Sequence, residues 1–174
     1  MKKLASIILA FLFLLPLAAC SHGDTPQSYS KSFNDLFDTA STISAVDSSQ
    51  EAFNGRFAAV YDTLKAYSQK FDIYADYAGV VNLKTVNDNA GSPVKVDSDI
   101  IELLKYGKNA YSSTGGRVNI AMGSVLSLWH NSRENALKNP KTAAVPDDKT
   151  LKNAAKYTNI NDLIIDEKNS TVML

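Results

Sequence analysis

The stretch TGGRVNIAMGSVLSLW, residues 114–129, ends one predicted helix and begins another. Gly115 and Gly116 stop the first helix, because glycine adopts the left-handed conformation that closes a helix without steric cost. Residues 117–120 are compatible with a short extended segment, and the apolar run 121–129 has helical character. The stretch therefore predicts two helices separated by a glycine turn and a short extended connection.

The spacing of apolar residues predicts further helices on both sides of this stretch. The helix that ends at the glycines is capped by Asp97 or Ser98, both good N-cap residues. Ser48 and Glu51 have the spacing of a capping box at the start of an earlier helix. The helix that ends at the glycines is predicted over about 98–114, and two further helices are predicted over about 48–70 and 147–157.

Two hairpins are predicted where short β-prone runs flank polar corners. The first hairpin pairs residues 33–37 with 42–46 around Asp38 and Thr39, and the second pairs 163–166 with 171–174. Two stretches without a persistent period, 71–91 and 131–148, are predicted to be a long structured loop and a polar surface excursion. Helices combined with hairpins indicate an α+β fold.

The second hairpin ends on the last residue of the sequence. Its final strand, residues 171–174, carries three apolar side chains and no polar tail. A strand that stops there leaves an unpaired edge that needs a neighbour. We therefore expect the sequence to be the first part of a longer protein and the fold to be incomplete.

Composition excludes several functional classes. The 174 residues include 18 Lys and Arg against 18 Asp and Glu, and this balance argues against nucleic-acid binding, which requires neutralisation of several phosphates. The sequence also shows no polybasic membrane patch. A single cysteine excludes an internal disulfide and any cysteine-based zinc or iron–sulfur site.

The N-terminal residues have the layout of an export signal. Lys2 and Lys3 precede an uncharged apolar run, residues 4–19, which is shorter than the roughly 20 residues of a bilayer-spanning helix and is interrupted by Pro16. The sequence Leu17-Ala18-Ala19-Cys20 resembles the lipobox of bacterial lipoproteins, in which the cysteine thiol carries diacylglycerol. The alternative is a buried cysteine after an ordinary signal peptide.

The lipobox reading divides the chain into three parts. Residues 1–19 are a lipoprotein signal peptide, 20–31 a flexible polar tether, and 32–174 a folded domain. The mature chain then lies on the extracytoplasmic face of the cell membrane, held by the lipid on Cys20.

The residues alone indicate little chemistry. His130 is the only histidine outside the tether, and beside Trp129 it is more often a helix cap or structural donor than a catalytic base. Gly115 and Gly116 do not form a phosphate-binding loop. Asp72, near Tyr74, is typical of a turn. Spacing by itself therefore supports only a lipid-anchored α+β domain.

Several stretches in series resemble one family, the ApbE-type FAD:protein FMN transferases. The resemblance covers roughly 37–174. Its motifs match Thr39-Ala40-Ser41-Thr42, Phe71-Asp72-Ile73-Tyr74, Asn87-Asp88-Asn89-Ala90-Gly91, Pro93-Val94-Lys95-Val96 and, most specifically, the 114–129 stretch. The resemblance implies an ApbE-like, T-fold-like architecture, a two-layer antiparallel sheet with packed helices, of which this chain is the N-terminal part.

The family transfers FMN from FAD, with Mg²⁺, to a Thr or Ser hydroxyl of an exported flavoprotein, such as a subunit of a sodium-pumping or Rnf-type redox complex. Phosphoryl transfer depends mainly on positioning and charge neutralisation, which a metal and a diphosphate cradle supply. The resemblance therefore implies a flavinylating transferase with FAD as its substrate. The family's magnesium ligands are expected beyond Leu174, so the catalytic residues are unknown and the chain alone is expected to be inactive.

The resemblance places FAD contacts at five positions, which are Ala40, Tyr74, Arg117, Val118 and Asn119. Tyr74 would border or stack on a flat ring, and the last three would line the pocket through backbone groups. Ala40 replaces the family's usual Met and Asn119 its usual acid. Ala40 as a turn residue, Tyr74 as a half-buried anchor and Asn119 as a cap remain alternatives.

Two functions outside catalysis stay open beside the transferase. A lipid-anchored lipoprotein that binds flavin or another solute needs a pocket but no catalytic groups. An adhesive or structural lipoprotein needs neither. FAD binding followed by transfer to an acceptor protein separates the three.

Overall fold

A computed structural model of the chain describes residues 25–174, in two compact units. The first unit ends at Lys65, and the second runs from Ala66 to Leu174. The predicted signal peptide and the lipidated Cys20 lie outside the described residues. Within 25–174, no helix combines the length and the apolar character needed to cross a bilayer.

The first unit is an antiparallel hairpin with the N-terminal part of a long helix. Strands β1 (Gln27–Leu36) and β2 (Thr39–Asp47) are joined at Phe37 and Asp38, whose positive φ angles of 56° and 50° suit a tight two-residue hairpin turn. Helix α1 (Gln50–Phe71) buries Phe53 and Phe57. The hairpin is thereby confirmed, with its corner one residue earlier than the sequence predicted.

Aromatic rings form the core of this unit. The Tyr29 ring stacks on Phe53 with centroids 5.6 Å apart, and Phe33 meets the edge of Phe57 at 6.1 Å. Because Tyr29 is part of this packing, residues 27–31 belong to β1, and their assignment to a flexible tether was wrong. Serines occupy the alternate, exposed positions of this segment. The segment therefore lacks an apolar pattern that would predict a strand.

The start of α1 also differs from the prediction. The hydroxyl of Ser49 accepts a hydrogen bond from the N–H of Ala52 at 3.1 Å, so Ser49 caps the helix. The predicted capping box of Ser48 with Glu51 was wrong, because Ser48 donates its own N–H to the carboxylate of Asp47.

The second unit packs helix α3 (Ser98–Ser113) on a three-stranded antiparallel sheet. The strands β3 (Val94–Lys95), β4 (Ile164–Asp166) and β5 (Thr171–Met173) lie in the order β3-β5-β4. The buried core consists of Val86, Val96, Ile100, Ile101, Leu104, Ile160, Leu163 and Val172.

The position of β5 corrects the expectation of an unpaired edge at 171–174. β5 lies between β3 and β4, and Val172 is 1% exposed. The backbone N–H of Gly91 donates to the carbonyl of Leu174 at 2.7 Å. Both sides of this strand are therefore paired, which satisfies its backbone groups.

The remaining helices follow the predicted order with different bounds. Helix α2 (Leu83–Asp88) lies inside the stretch predicted as a loop, and residues 117–120 form bends and a turn instead of an extended segment. Helix α4 (Gly123–Lys138) continues well past the predicted end, because 131–138 contain no helix breaker.

Helix α5 (Asp148–Ala154), with the 3₁₀ turn Ala155–Tyr157, confirms the predicted helix near 147–157. Two small antiparallel sheets with packed helices confirm the α+β class.

An ion pair joins the end of β2 to α1. The carboxylate of Asp47 is almost fully buried, and its Oδ2 lies 2.6 Å from Nε of Arg56. The side chain of Arg56 is 71% exposed, so only the acidic partner has lost its water. An uncompensated carboxylate at this position would be costly, since a buried charge needs a partner.

We expect Arg56→Ala to lower the free energy of unfolding by about 1–3 kcal/mol, because it leaves Asp47 buried and unpaired. Arg133→Ala is the matched control, since Arg133 is equally exposed at 70% but pairs with a carboxylate that is itself 38% exposed. Its expected loss is below about 0.5 kcal/mol. Urea denaturation followed by circular dichroism measures the free energy of unfolding of both variants. An equal loss in the two variants would contradict the role given to Asp47.

Candidate functional site

A carboxylate shapes the loop that carries Tyr74. Oδ1 of Asp72 accepts hydrogen bonds from the backbone N–H groups of Tyr74 at 2.6 Å and Ala75 at 3.2 Å, and Oδ2 accepts from the Tyr77 hydroxyl at 2.7 Å. Burial raises the pKa of Asp72, but the three hydrogen bonds outweigh burial and hold the pKa below its usual range. The loop is therefore closed by an ionised side chain at neutral pH.

A buried amide holds the same loop from its other end. Asn82 is 0% exposed, and its Nδ2 donates to the carbonyl of Ala75 at 2.9 Å. Its Oδ1 accepts from the backbone N–H of Thr85 at 3.0 Å, and the Thr85 hydroxyl accepts from the backbone N–H of Asn82 at 3.3 Å, which together form a capping box at the start of α2. The backbone on both sides of Tyr74 is thus fixed by hydrogen bonds.

The Tyr74 side chain is exposed but not isolated. The residue is 60% exposed, and its ring stacks on the imidazole of His130 in α4, with centroids 5.0 Å apart and an interplanar angle of 24°. This contact favours a structural role for His130. Tyr74 is a surface ring held in position, which differs from the alternative of a half-buried anchor.

The glycine turn after α3 positions the second group of predicted residues. Gly115 and Gly116 have φ angles of 61° and 82°, and the N–H of Gly116 donates to the carbonyl of Tyr111 at 2.8 Å. The hydroxyl of Thr114 then accepts the N–H of Val118 at 3.0 Å. The chain is turned back here, so residues 117–119 lie between α3 and α4.

Both polar atoms of the Asn119 side chain serve the fold. Nδ2 donates to the carbonyl of Thr158 at 2.8 Å, and Oδ1 accepts the N–H of Ala121 at 2.9 Å. A carboxylate at this position would place a negative oxygen against the Thr158 carbonyl, which explains why an amide suits this chain. The Asn119 side chain therefore has the capping role that the sequence analysis gave as an alternative.

The neighbours of Asn119 are accessible. Val118 is 44% exposed, and Arg117 is exposed as well. Across residues 25–174, no carboxylate lies within ion-pair distance of Arg117. Its guanidinium keeps its full set of donors for an anion.

Ala40 is the predicted contact that lies in the first unit. It is exposed on β2, opposite a bulge in β1 where two residues face it instead of one. Bulges of this kind re-aim the local chain and are frequent beside functional sites. The other four predicted residues belong to the second unit.

The structure groups the predicted residues only in part. Tyr74 contacts α4, and residues 117–119 lead into α4, but in the described part of the chain Tyr74 has no hydrogen bond or ring contact with them. A groove of about 430 Å³ lies elsewhere, between β1 and α1, and includes none of the five. No three His, Cys, Asp or Glu side chains between residues 25 and 174 come together to hold a metal ion.

The residues that support the site were not identified from the sequence. Asn82 and Thr85 have the spacing of a capping box, a signal that predicts their pairing. The pairing of Tyr74 with His130 and of Asn119 with Thr158 depends on contacts distant along the chain, and no local pattern indicates them.

A missing side chain lets the 117–120 turn approach α3 closely. A Cβ on Gly107 would lie 2.5 Å from Cδ1 and 2.9 Å from Cγ2 of Ile120. Because Ile120 directly follows Asn119, the absence of a side chain at Gly107 allows this end of the turn to lie close to α3.

Comparisons with known proteins agree on one family. A sequence model of the ApbE family matches residues 37–174. No curated protein sequence matches the chain significantly.

Three solved structures share the fold. The ApbE protein of Thermotoga maritima is 23% identical with a TM-score of 0.67, over 85% of this chain and 45% of that one. The flavin transferase ApbE of Vibrio cholerae is 17% identical with a TM-score of 0.66, over 86% and 46%. The apo flavinyl transferase ApbE of Pseudomonas stutzeri is 18% identical with a TM-score of 0.61, over 86% and 45%. The chain spans about half the length of these structures.

We expect Gly107→Ala to destabilise the second unit by about 1–2 kcal/mol, because the new methyl displaces Ile120. Adding Ile120→Ala should recover much of the loss that Gly107→Ala causes, since the two side chains compete for one space. The control is Gly55→Ala, where no atom lies within 4 Å and a gain of about 0.5–1 kcal/mol is expected in the helix. Strictly additive losses in the urea-measured double-mutant cycle would contradict the contact.

Proposed function

Because the chain belongs to the ApbE family, we propose that it supplies flavin-binding residues of an FAD:protein FMN transferase. The match of the family model over residues 37–174 carries this proposal. The fold it shares with structures named flavin or flavinyl transferases supports it. In this proposal FAD is the substrate, and FMN is transferred to a Thr or Ser of an exported flavoprotein, such as a subunit of a sodium-pumping or Rnf-type complex.

The geometry at Tyr74 suits a flat ring system. Its side chain is exposed, its backbone is fixed through Asp72, and its ring is oriented by His130. A ring that is already ordered loses little conformational freedom when a ligand stacks on it. We assign Tyr74 the role of an aromatic surface for FAD.

The turn after α3 suits an anion. Among residues 25–174 no carboxylate pairs with Arg117, and a guanidinium suits phosphate oxygens because its donors form a planar fork. Asn119 holds the turn through its side chain and leaves its backbone groups for the ligand. We therefore assign Arg117 to the diphosphate, with Val118 and Asn119 bordering it.

Magnesium does not fit the residues of this structure. Within residues 25–174 no cluster of three candidate ligands exists, and the position where the family usually has an acid is Asn119. We assign no step to a metal ion here. We propose, as the family resemblance implies, that the magnesium ligands lie beyond Leu174.

The location of the chain is a further part of the proposal. The lipobox-like Leu17-Ala18-Ala19-Cys20 supports a lipid anchor on the extracytoplasmic face of the cell membrane. Acceptor proteins that receive FMN after export would be met on that face. The signal peptide and Cys20 lie outside the described residues.

Tyr74→Ala should weaken FAD binding by about 1–3 kcal/mol, the range measured when an aromatic stacking surface is removed. Tyr106→Ala is the control, because Tyr106 is an exposed tyrosine of α3, at 74%, that is not among the predicted contacts. Quenching of the single tryptophan, Trp129, by added FAD follows binding. Circular dichroism must show both variants folded. An unchanged dissociation constant in Tyr74→Ala would make it a packing residue, and no binding by the wild-type chain would contradict the proposal itself.

The mature chain, residues 20–174, should not transfer FMN by itself. Charge developing on the phosphate needs a counter-charge, and the described residues offer no metal site to supply one. The chain is incubated with FAD, Mg²⁺ and an acceptor flavoprotein, and covalent flavin fluorescence is read on a denaturing gel. A labelled acceptor above the no-enzyme control would place the catalytic groups within residues 20–174. A form of the protein as long as the matched structures could bind FAD and yet never transfer FMN to the acceptor. That result would favour a flavin-binding lipoprotein.

A further inference from the structure

Residues 137–157 form a surface of distinct chemistry, called here the basic segment. It runs from the end of α4 through the 3₁₀ turn Pro140–Thr142 to α5 and the following turn. Helix α4 packs against each of these elements, so the segment is one connected region of the second unit.

Charge is concentrated in the basic segment. It holds five lysines against two aspartates, a net charge of +3, whereas the other residues of the mature chain hold 11 basic against 16 acidic side chains. All five lysines are exposed, and in the described part of the chain none of them forms an ion pair. The five are Lys138, Lys141, Lys149, Lys152 and Lys156.

The two acidic residues do not neutralise this surface by pairing. Asp147 uses its carboxylate to cap α5, where it accepts the N–H and the hydroxyl of Thr150. Asp148 lies in the first turn of α5, where a negative charge is favoured by the helix dipole. Lys149, Lys152 and Lys156 follow at the spacing of one helix face.

Large apolar side chains are exposed in the same segment. Leu137 is 65% exposed, Val145 75% and Tyr157 74%. Such side chains between lysines are typical of surfaces that lie at a membrane interface, where apolar atoms enter the headgroup region and ammonium groups stay at its surface.

We propose that the basic segment contacts the anionic surface of the membrane. The proposal is strengthened by the lipid anchor proposed above, because only seven residue steps separate Cys20 from Gln27, the first residue of β1. A fully extended chain of that length spans about 25 Å, so the lipid would hold the fold close to the headgroups. A polybasic patch was not predicted from the sequence, because up to seven residues lie between successive lysines.

The test uses the mature chain with Cys20→Ser, so that no lipid contributes. Sedimentation measures its binding to vesicles of equal parts phosphatidylglycerol and phosphatidylcholine, and to vesicles of phosphatidylcholine alone. Binding is expected only to the anionic vesicles and should fall as salt is raised. The triple variant K149Q/K152Q/K156Q should bind them at least about tenfold more weakly, since each lysine near an anionic surface contributes.

The matched control is K65Q/K95Q/K168Q, which removes the same charge from exposed lysines outside the segment. It should keep most of the binding. Tyr157→Ser should weaken binding as well, because it removes an exposed apolar contact without changing charge. Circular dichroism confirms that each variant is folded.

Three results would overturn the proposal. These are no preference for anionic vesicles, an equal loss in both triple variants, or equal binding to soluble polyglutamate, which would indicate an acidic protein partner. Lipid labelling of wild-type and Cys20→Ser chains in cells tests the anchor separately. If the chain binds anionic vesicles but Cys20 takes up no lipid label, the lipid anchor is rejected and the proposed membrane contact of the basic segment is kept.

Discussion

The central pairing of β5 holds the second unit together. β5 bonds on one side to β3, which precedes α3, and on the other to β4, which follows α5. The sheet therefore closes the chain around α3, whose Ile100 is fully buried. Lys108 of α3 reinforces this closure by donating to the carbonyl of Leu163 at 2.7 Å. The turn that carries residues 117–119 directly follows α3, so its position depends on this closure.

Hydrogen bonds from buried or partly buried polar side chains then fix the loops that carry the candidate residues. Asp72 and Asn82 hold the loop of Tyr74, and Asn119 ties its own turn to the carbonyl of Thr158. The side chains available to a ligand, Tyr74 and Arg117, are those that the fold leaves exposed. The polar side chains that hydrogen-bond to the loops are thus different from the side chains that would contact FAD. The loops therefore stay ordered without a ligand.

The parts of the fold that depend on local chemistry could be predicted from the sequence. The apolar stripe of α3 and its stop at Gly115 follow from helical periodicity and glycine geometry. The hairpin of β4 with β5 was predicted from its polar turn. The pairing of β5 with β3 was missed, because β3 has two residues and carries almost no pattern. The five ligand positions came from family resemblance, whereas the stack of Tyr74 on His130 follows from tertiary packing alone.

The central claim is that FAD binds at Tyr74 and the turn after α3, and nuclear magnetic resonance tests it most directly. FAD is titrated into the isotope-labelled mature chain, and changes in the backbone amide signals are mapped onto the sequence. The account predicts the largest changes at Tyr74 and at residues 117–119. Changes confined to the groove between β1 and α1, around Phe33 and Tyr61, or no changes at all, would contradict it.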